Sequence, residues 1–363
     1  MNLNVSYPPS ELSQLSDEEI ERRIVESRCQ LGRRLLILVH HYQHDQIVKQ
    51  ADFIGDSFAL SRRAAEADAE FIVFCGVHFM AETADLLTAA SQKVFLPNID
   101  AGCSLADMAD IGTVTAAWKK IQAIVSDNLI PVTYINSRLE LKAFCGQNGG
   151  IVCTSSNAQA ALEWAWSKKP QVFFFPDQNL GRNVATRMGI APEEIIMYDA
   201  KGSMGSEFER QIKNARLILW NGFCCVHQAF SLKDIEYLRT TVPEIKIIVH
   251  PECPAEIAGI ADYMGSTEYI IQTVKAGKSD SAWGIGTEKN LVHRLARQLP
   301  DRRIVIINEN ASLCRTMAMV TPIHLLYQLE SLQGGRLVNQ VIADKKLRPD
   351  ALRAVQRMLR LKA

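Results

Sequence analysis

Short apolar runs that end in polar or glycine residues recur along the chain: LLILVHH (35 to 41), FIVFCG (71 to 76), KVFLPN (93 to 98), IPVTYIN (130 to 136), IVCTSS (151 to 156), QVFFFPD (171 to 177), RLILWNG (216 to 222), IKIIVHPE (245 to 252) and RIVIINEN (303 to 310). Runs of this length without polar alternation predict strands buried on both faces, and the helix-like segments between them predict parallel sheets covered on each side. Ser16 followed by Glu19 is a capping-box pattern, which predicts an amphipathic helix over residues 17 to 30. The fold class expected is therefore α/β.

The polar landmarks of these runs repeat three times, and such self-similarity takes precedence in naming an architecture. A strand ends with two polar side chains at i and i+2, on one face: His40 and Tyr42, Tyr134 and Asn136, His250 and Glu252. A Ser-bearing turn then opens a helix, at Gly55-Asp56-Ser57, Thr154-Ser155-Ser156-Asn157 and Gly265-Ser266-Thr267. A cysteine in a Gly- or Asn-marked turn closes each unit: Cys103 in AGCSLADM, Cys224 in WNGFCCVH and Cys314 in NENASLCRTMAM. Three similar αβα, Rossmann-like domains follow, over 1–106, 107–224 and 225–314, with an insertion in the second near 180–209 and C-terminal helices over 315–363 packing back on the first. A pseudo-threefold arrangement would bring the three loop cysteines, and with them the active site, to the domain junction. Ligands of open parallel sheets bind beyond the carboxyl ends of the strands, where all these landmarks fall.

Composition narrows the classes. With 363 residues, 47% hydrophobic and 22% charged, the chain is expected to be globular with more than one core. Lys+Arg 40 against Asp+Glu 40 leaves no net charge and no basic block, which argues against a nucleic-acid or anionic-membrane partner. Asp17, Glu18, Glu19 and Glu21 stand where a signal peptide would be basic and apolar, and no run is long enough to span a bilayer, so a cytoplasmic location is expected. Gly277-Lys278-Ser279 resembles the end of a P-loop, but the upstream glycine position holds Gln272, and Gly284 and Gly286 form a GxG without its third glycine. Neither supports a nucleotide site.

Nine cysteines with no CxxC are better read as thiols or ligands than as a disulfide frame. Three soft thiolates brought together would hold a cubane cluster with one iron left open as a Lewis acid, which points to chemistry rather than electron transfer. The same pattern also suits reactive or structural thiols. Cys29, Cys75, Cys145 and Cys153 read as small hydrophobes, whereas Cys225 and Cys253 lie in functional-looking loops and would be alternative ligands to the periodic Cys224 and Cys314. Helix N-termini at the three Ser turns offer backbone N–H groups to a carboxylate or phosphate, although Ser, Thr and Asp there are also ordinary caps. His40, Tyr42, His250 and Glu252 are candidates for acid–base work, with His41, His44 and His227 behind them.

Taken together, VHHYQ (39 to 43), ADFIGDS (51 to 57), FCGVHFMAETA (74 to 84), AGCSLADM (101 to 108), VTYINS (132 to 137), CTSSNA (153 to 158), PDQNLG (176 to 181), WNGFCCVH (220 to 227), HPEC (250 to 253), ADYMGST (261 to 267), IGTE (285 to 288) and CRTMAM (314 to 319) resemble the quinolinate synthase A family over nearly the whole chain. The resemblance implies three αβα domains with a 4Fe–4S cluster at their junction, held by Cys103, Cys224 and Cys314. It implies condensation of iminoaspartate with dihydroxyacetone phosphate to quinolinate, in de novo NAD biosynthesis, and a functional link to L-aspartate oxidase. Tyr42 and Glu252 would transfer protons, while His40, Ser57, Tyr134, Asn136, Ser155, His250 and Thr267 would line the pocket. Another cluster-dependent hydro-lyase acting on a small polycarboxylate, or a non-catalytic iron–sulfur sensor, are the competing expectations. The sensor leaves the Ser turns and paired strand-end groups without a purpose.

Overall fold

In the computed structural model, residues 4–198 and 205–361 are described. The strands are β1 (Leu35–His40), β2 (Phe53–Gly55), β3 (Phe71–Cys75), β4 (Lys93–Phe95), β5 (Leu129–Tyr134), β6 (Ile151–Cys153) and β7 (Gln171–Phe175). They continue with β8 (Ile195–Tyr198), β9 (Leu217–Trp220), β10 (Lys246–Val249), β11 (Tyr263–Met264), β12 (Ala282–Gly286), β13 (Arg303–Ile306) and β14 (Gln340–Val341). They form three sheets, ordered β14-β4-β3-β1-β2, β6-β5-β7-β9-β8 and β11-β10-β12-β13. Every pairing is parallel except that of β14 with β4.

The sheets share one connectivity. In each, the first strand lies between the second and the third, and a fourth follows the third, an order that places a switch point beside the carboxyl end of the first strand. That end carries His40 and Tyr42 in the first sheet, Tyr134 and Asn136 in the second, and His250 and Glu252 in the third. The first sheet adds the antiparallel edge strand β14, and the second adds the edge strand β8, entered after the helix Gln178–Arg187 and left before the helix Ser206–Asn214. β8 lies within residues 180–209, of which 199–204 are outside the described residues.

By their internal contacts the residues form two compact units, Met1–Cys103 with Leu313–Asp344 and Ser104–Ser312 with Lys345–Ala363. In the first unit β1 and β3 are buried throughout, as strands covered on both faces must be. The helix Asp17–Leu31 starts where Ser16 accepts the Glu19 N–H and packs against the helix Pro322–Gln333 through an Arg23–Glu330 pair at 2.6 Å. In the second unit β5 and β7 are likewise fully buried, and the third sheet has a core of Ile235, Ile245, Ile247, Val249, Ile257 and Ile307 with their neighbours. Residues 345–361 depart from the expectation that the whole of 315–363 packs on the first domain. The helix Arg348–Arg360 belongs to the second unit, where the Asp350 backbone comes so close to Gly146 that a Cβ there would sit 1.9 Å from its carbonyl oxygen. No helix among the described residues is long and apolar enough to cross a membrane.

Candidate functional site

Each unit gathers its own set of chemical groups. In the second unit the centre is Glu252, just past β10 and 2% exposed. Its N–H donates to Nδ1 of His250 at 3.3 Å, the Tyr134 hydroxyl at the end of β5 donates to its carboxylate, and Oε2 lies 2.6 Å from Nδ1 of His227. The contact with His227 is short, and Glu252 Oε1 has no hydrogen-bond partner among the described residues. Nε2 of His227 faces the Thr287 hydroxyl at 3.2 Å, and the rings of His227 and His250 stack at 4.4 Å. Such orphaned buried polar atoms are rare unless a ligand or ion completes them.

The electrostatics follow from burial. Desolvation, and next the neighbouring His227, push His250 down to about 3, so its imidazole is neutral at ordinary pH. Nδ1 accepts the Glu252 N–H, so the ring proton sits on Nε2 and offers a donor. Burial works against ionisation of Glu252, but the histidines, His250 and then His227, and the Tyr134 hydroxyl outweigh it and hold its pKa at about 2. With His250 neutral, the Tyr134 hydroxyl and the His227 contact are the carboxylate's main support. Asp177, fully buried, moves the other way: burial and the charge of Glu252 raise its pKa well above the usual carboxylate range, against hydrogen bonds from the Leu180, Cys224 and Asn179 N–H groups.

The helix Gln178–Arg187 carries the scaffold. Asp177 caps it by accepting the Leu180 N–H at 2.7 Å. Asn179, Asn183 and Arg187, spaced four apart on one face, then clamp the third sheet's loops. Asn179 donates to Gln228 Oε1 at 2.9 Å and to the Glu252 carbonyl at 3.2 Å. Asn183 donates to the Pro251 and Cys253 carbonyls at 2.9 and 2.7 Å, and Arg187 to the Met264 carbonyl at 2.7 Å. Sequence reading passed over all of these, and the polar stripe in PDQNLGRN was the available signal. His227, a weaker candidate from the sequence, lies in direct contact with Glu252.

In the first unit, β1 ends with the same backbone device: the Tyr42 N–H donates to His40 Nδ1 at 3.2 Å, and the rings meet edge to face at 4.6 Å. His40 is buried and Tyr42 half-buried. Gln43 donates to the Met317 carbonyl at 3.0 Å and Asn98 to the Met319 carbonyl at 2.8 Å, so the turns that bear Cys103 and Cys314 are tied to this strand end. Cys314 lies 3.5 Å from the Thr316 hydroxyl, and its carbonyl accepts the Ala318 N–H.

The remaining expected residues are distributed as follows. Asp56 caps the helix Ser57–Ala65, which makes Ser57 its first residue, and Ser266 caps the helix Thr267–Ala276 in the same way. Ser155 lies in the turn before the helix Ala158–Trp166, where Asn157 accepts the Thr154 N–H at 2.7 Å. Asn136 is half-buried, and its Oδ1 has no hydrogen-bond partner among the described residues. Cys224 projects toward His227 and Glu252, and the donor atoms of the three lie within 4.8 Å of one another; Cys225 is exposed beside the Ser104 hydroxyl.

Sheets of this order with titratable groups at their carboxyl ends, and with a Cys/His/Glu donor set, define an α/β enzyme with the means to hold a metal. The chain matches the family described as quinolinate synthetase A protein over residues 22–360 and belongs to that family. It is 47% identical over 354 residues to the quinolinate synthase of Geobacillus sp. (strain WCH70), an alignment covering 97% of this chain and 96% of the relative. It is 46% identical over 362 residues to that of Nocardioides sp. (strain ATCC BAA-499 / JS614), covering 97% and 92%, and 45% identical over 353 residues to that of Corynebacterium glutamicum, covering 97% and 90%.

Proposed function

We propose that the chain forms quinolinate by condensing iminoaspartate with dihydroxyacetone phosphate, releasing phosphate and water, as a step of NAD biosynthesis. The observation that carries this reading is the buried Glu252 carboxylate, kept ionised yet left with one bare oxygen, beside a neutral His250 whose Nε2–H is a donor. A carboxylate with an open oxygen can take a proton from a carbon or a hydroxyl of the substrate and give it up to a departing hydroxyl, while the Tyr134 hydroxyl holds it in place by hydrogen bond. Tyr42, edge-on to His40, is assigned the second proton transfer. His40 and His250, each with Nδ1 occupied by the N–H two residues on, present Nε2–H groups to substrate carboxylates. Ser57 and Thr267 at helix starts, Ser155 in the turn before the helix Ala158–Trp166, and Asn136 are assigned to the remaining carboxylate and phosphate oxygens. An oxidase acting on aspartate would supply the imine.

The family's cofactor is an iron–sulfur cluster, and the donor chemistry fits one. Burial pushes the thiols of Cys75, Cys145, Cys153 and Cys253 up, so these stay protonated, whereas Cys103, Cys224 and Cys314 are half-buried in turns beyond strand ends. Cys103, Cys224 and Cys314 are the residues that would hold a 4Fe–4S cluster. When bound on three thiolates it supplies an open iron as a Lewis acid. The test is quinolinate formation by anaerobically purified chain given iminoaspartate and dihydroxyacetone phosphate. Product is expected only with both substrates; a cluster-loaded chain that makes none but dehydrates a small polycarboxylate replaces the reading with a hydro-lyase.

A further inference from the structure

The second unit holds a donor set that needs nothing from the first. Sγ of Cys224, the His227 imidazole and a Glu252 carboxylate oxygen all lie within 4.8 Å of one another, His227 and Glu252 being 1% and 2% exposed. Two features set this apart from a buried ion pair. The 2.6 Å contact with His227 engages only Oε2 and leaves Oε1 without a hydrogen-bond partner among the described residues. Moreover, the imidazole and the carboxylate already have outer supports: Thr287 faces Nε2 of His227, leaving Nδ1 toward the carboxylate, and Tyr134 holds Glu252. Metal-ligating histidines and carboxylates are held by such outer hydrogen bonds.

We propose that Cys224, His227 and Glu252 bind one divalent transition-metal ion of the zinc type, within the second unit alone and without a cluster. Sulfur, imidazole and carboxylate together select a borderline metal over magnesium or calcium, and three protein ligands leave a fourth position for water or a carboxylate. Metal–ligand bonds of about 2.0–2.3 Å require donors roughly 3.3–3.8 Å apart in a tetrahedron, so the His227–Glu252 contact opens by under about 1 Å. Because Cys224 is a ligand in both states, the ion and the cluster exclude each other. The inference does not depend on the reaction assigned above, since it needs neither substrate nor cluster.

The test uses full-length chain freed of metal and sulfide under anaerobic conditions and titrated with Co²⁺ alone. Wild type and the Cys103→Ser/Cys314→Ser double variant are both expected to take up one ion, with tetrahedral d–d bands and a thiolate-to-cobalt charge-transfer band that excess Zn²⁺ removes. Cys224→Ser loses the charge-transfer band while Cys225→Ser keeps it. Thr287→Val, which touches no ion, weakens binding by about tenfold. Circular dichroism confirms that each variant is folded. Absence of the band in folded wild type, its loss in the double variant, or its persistence in Cys224→Ser overturns the proposal.

Discussion

The ends of β1 and β10 are built alike and furnished differently. Both hook a strand N–H onto an aspartate side chain, Ile37 to Asp52 at 2.8 Å and Ile247 to Asp262 at 2.6 Å, and both aspartates also accept from an arginine, Arg28 and Arg239. Both end in a histidine whose Nδ1 accepts the N–H two residues on. The third position then differs: a half-buried phenol in the first unit, a buried carboxylate packed against a second histidine in the second. One backbone device thus positions two kinds of titratable group, a phenol and a carboxylate. What separates them is the packing beyond the strand, for only the second unit brings Asn179, Asn183 and His227 onto the turn.

The largest expected effects lie at the cysteines. Changing Cys103, Cys224 or Cys314 singly to Ser should abolish cluster content and lower quinolinate formation by more than about 10³-fold, while Cys225→Ser keeps both; anaerobic iron and sulfide analysis with the rate assay checks this. Tyr42→Phe tests the phenol side of the comparison. It should cost about 10²-fold in kcat at unchanged cluster content, as removal of a single acid–base group does. On the scaffold that distinguishes the second strand end, Asn183→Ala leaves two buried carbonyls without their donor and should destabilise the second unit by about 1–3 kcal/mol, measured as a lower urea midpoint.

The smallest effect is on pH. The folded-state pKa of His250, about 3, lies below its ordinary 6.5, so the unfolded chain takes up the proton first as pH falls and stability declines from about 6.5 toward 3. Glu252, lowered from 4.5 to about 2, adds a loss between those two values as its carboxylate is protonated. Wild type should lose on the order of 1–2 kcal/mol between pH 6.5 and 5, and His250→Gln should flatten that part of the curve in urea titrations. An unchanged slope would mean that the ring is not held neutral in the folded chain.

Much of this architecture was legible because long, doubly buried strands write themselves as apolar runs: β1, β3, β7, β9 and β10 fall inside the runs read from the sequence, and β5 begins one residue before its run. The pairs at His40/Tyr42 and His250/Glu252 were expected on one face of a strand, but β1 ends at His40 and β10 at Val249, and each pair is joined instead by a turn in which the later N–H bonds the histidine Nδ1. The short strands β2, β11 and β14 have too few residues to show a pattern. β12 was hidden by its glycines, read only as an incomplete nucleotide motif; a Cβ at Gly284 or Gly286 would lie 2.7 Å from Ile247 or 2.9 Å from Val249, so close packing on β10 requires them. His227 and Asp177 became prominent only through contacts from other parts of the chain, which no local pattern encodes.

The central claim is that Glu252 is the base of a quinolinate-forming site, and it is tested most directly by Glu252→Gln. Quinolinate formation from iminoaspartate and dihydroxyacetone phosphate should be measured on preparations whose iron and sulfide match wild type. The account expects kcat to fall by about 10³-fold or more. A rate within about threefold of wild type would contradict it.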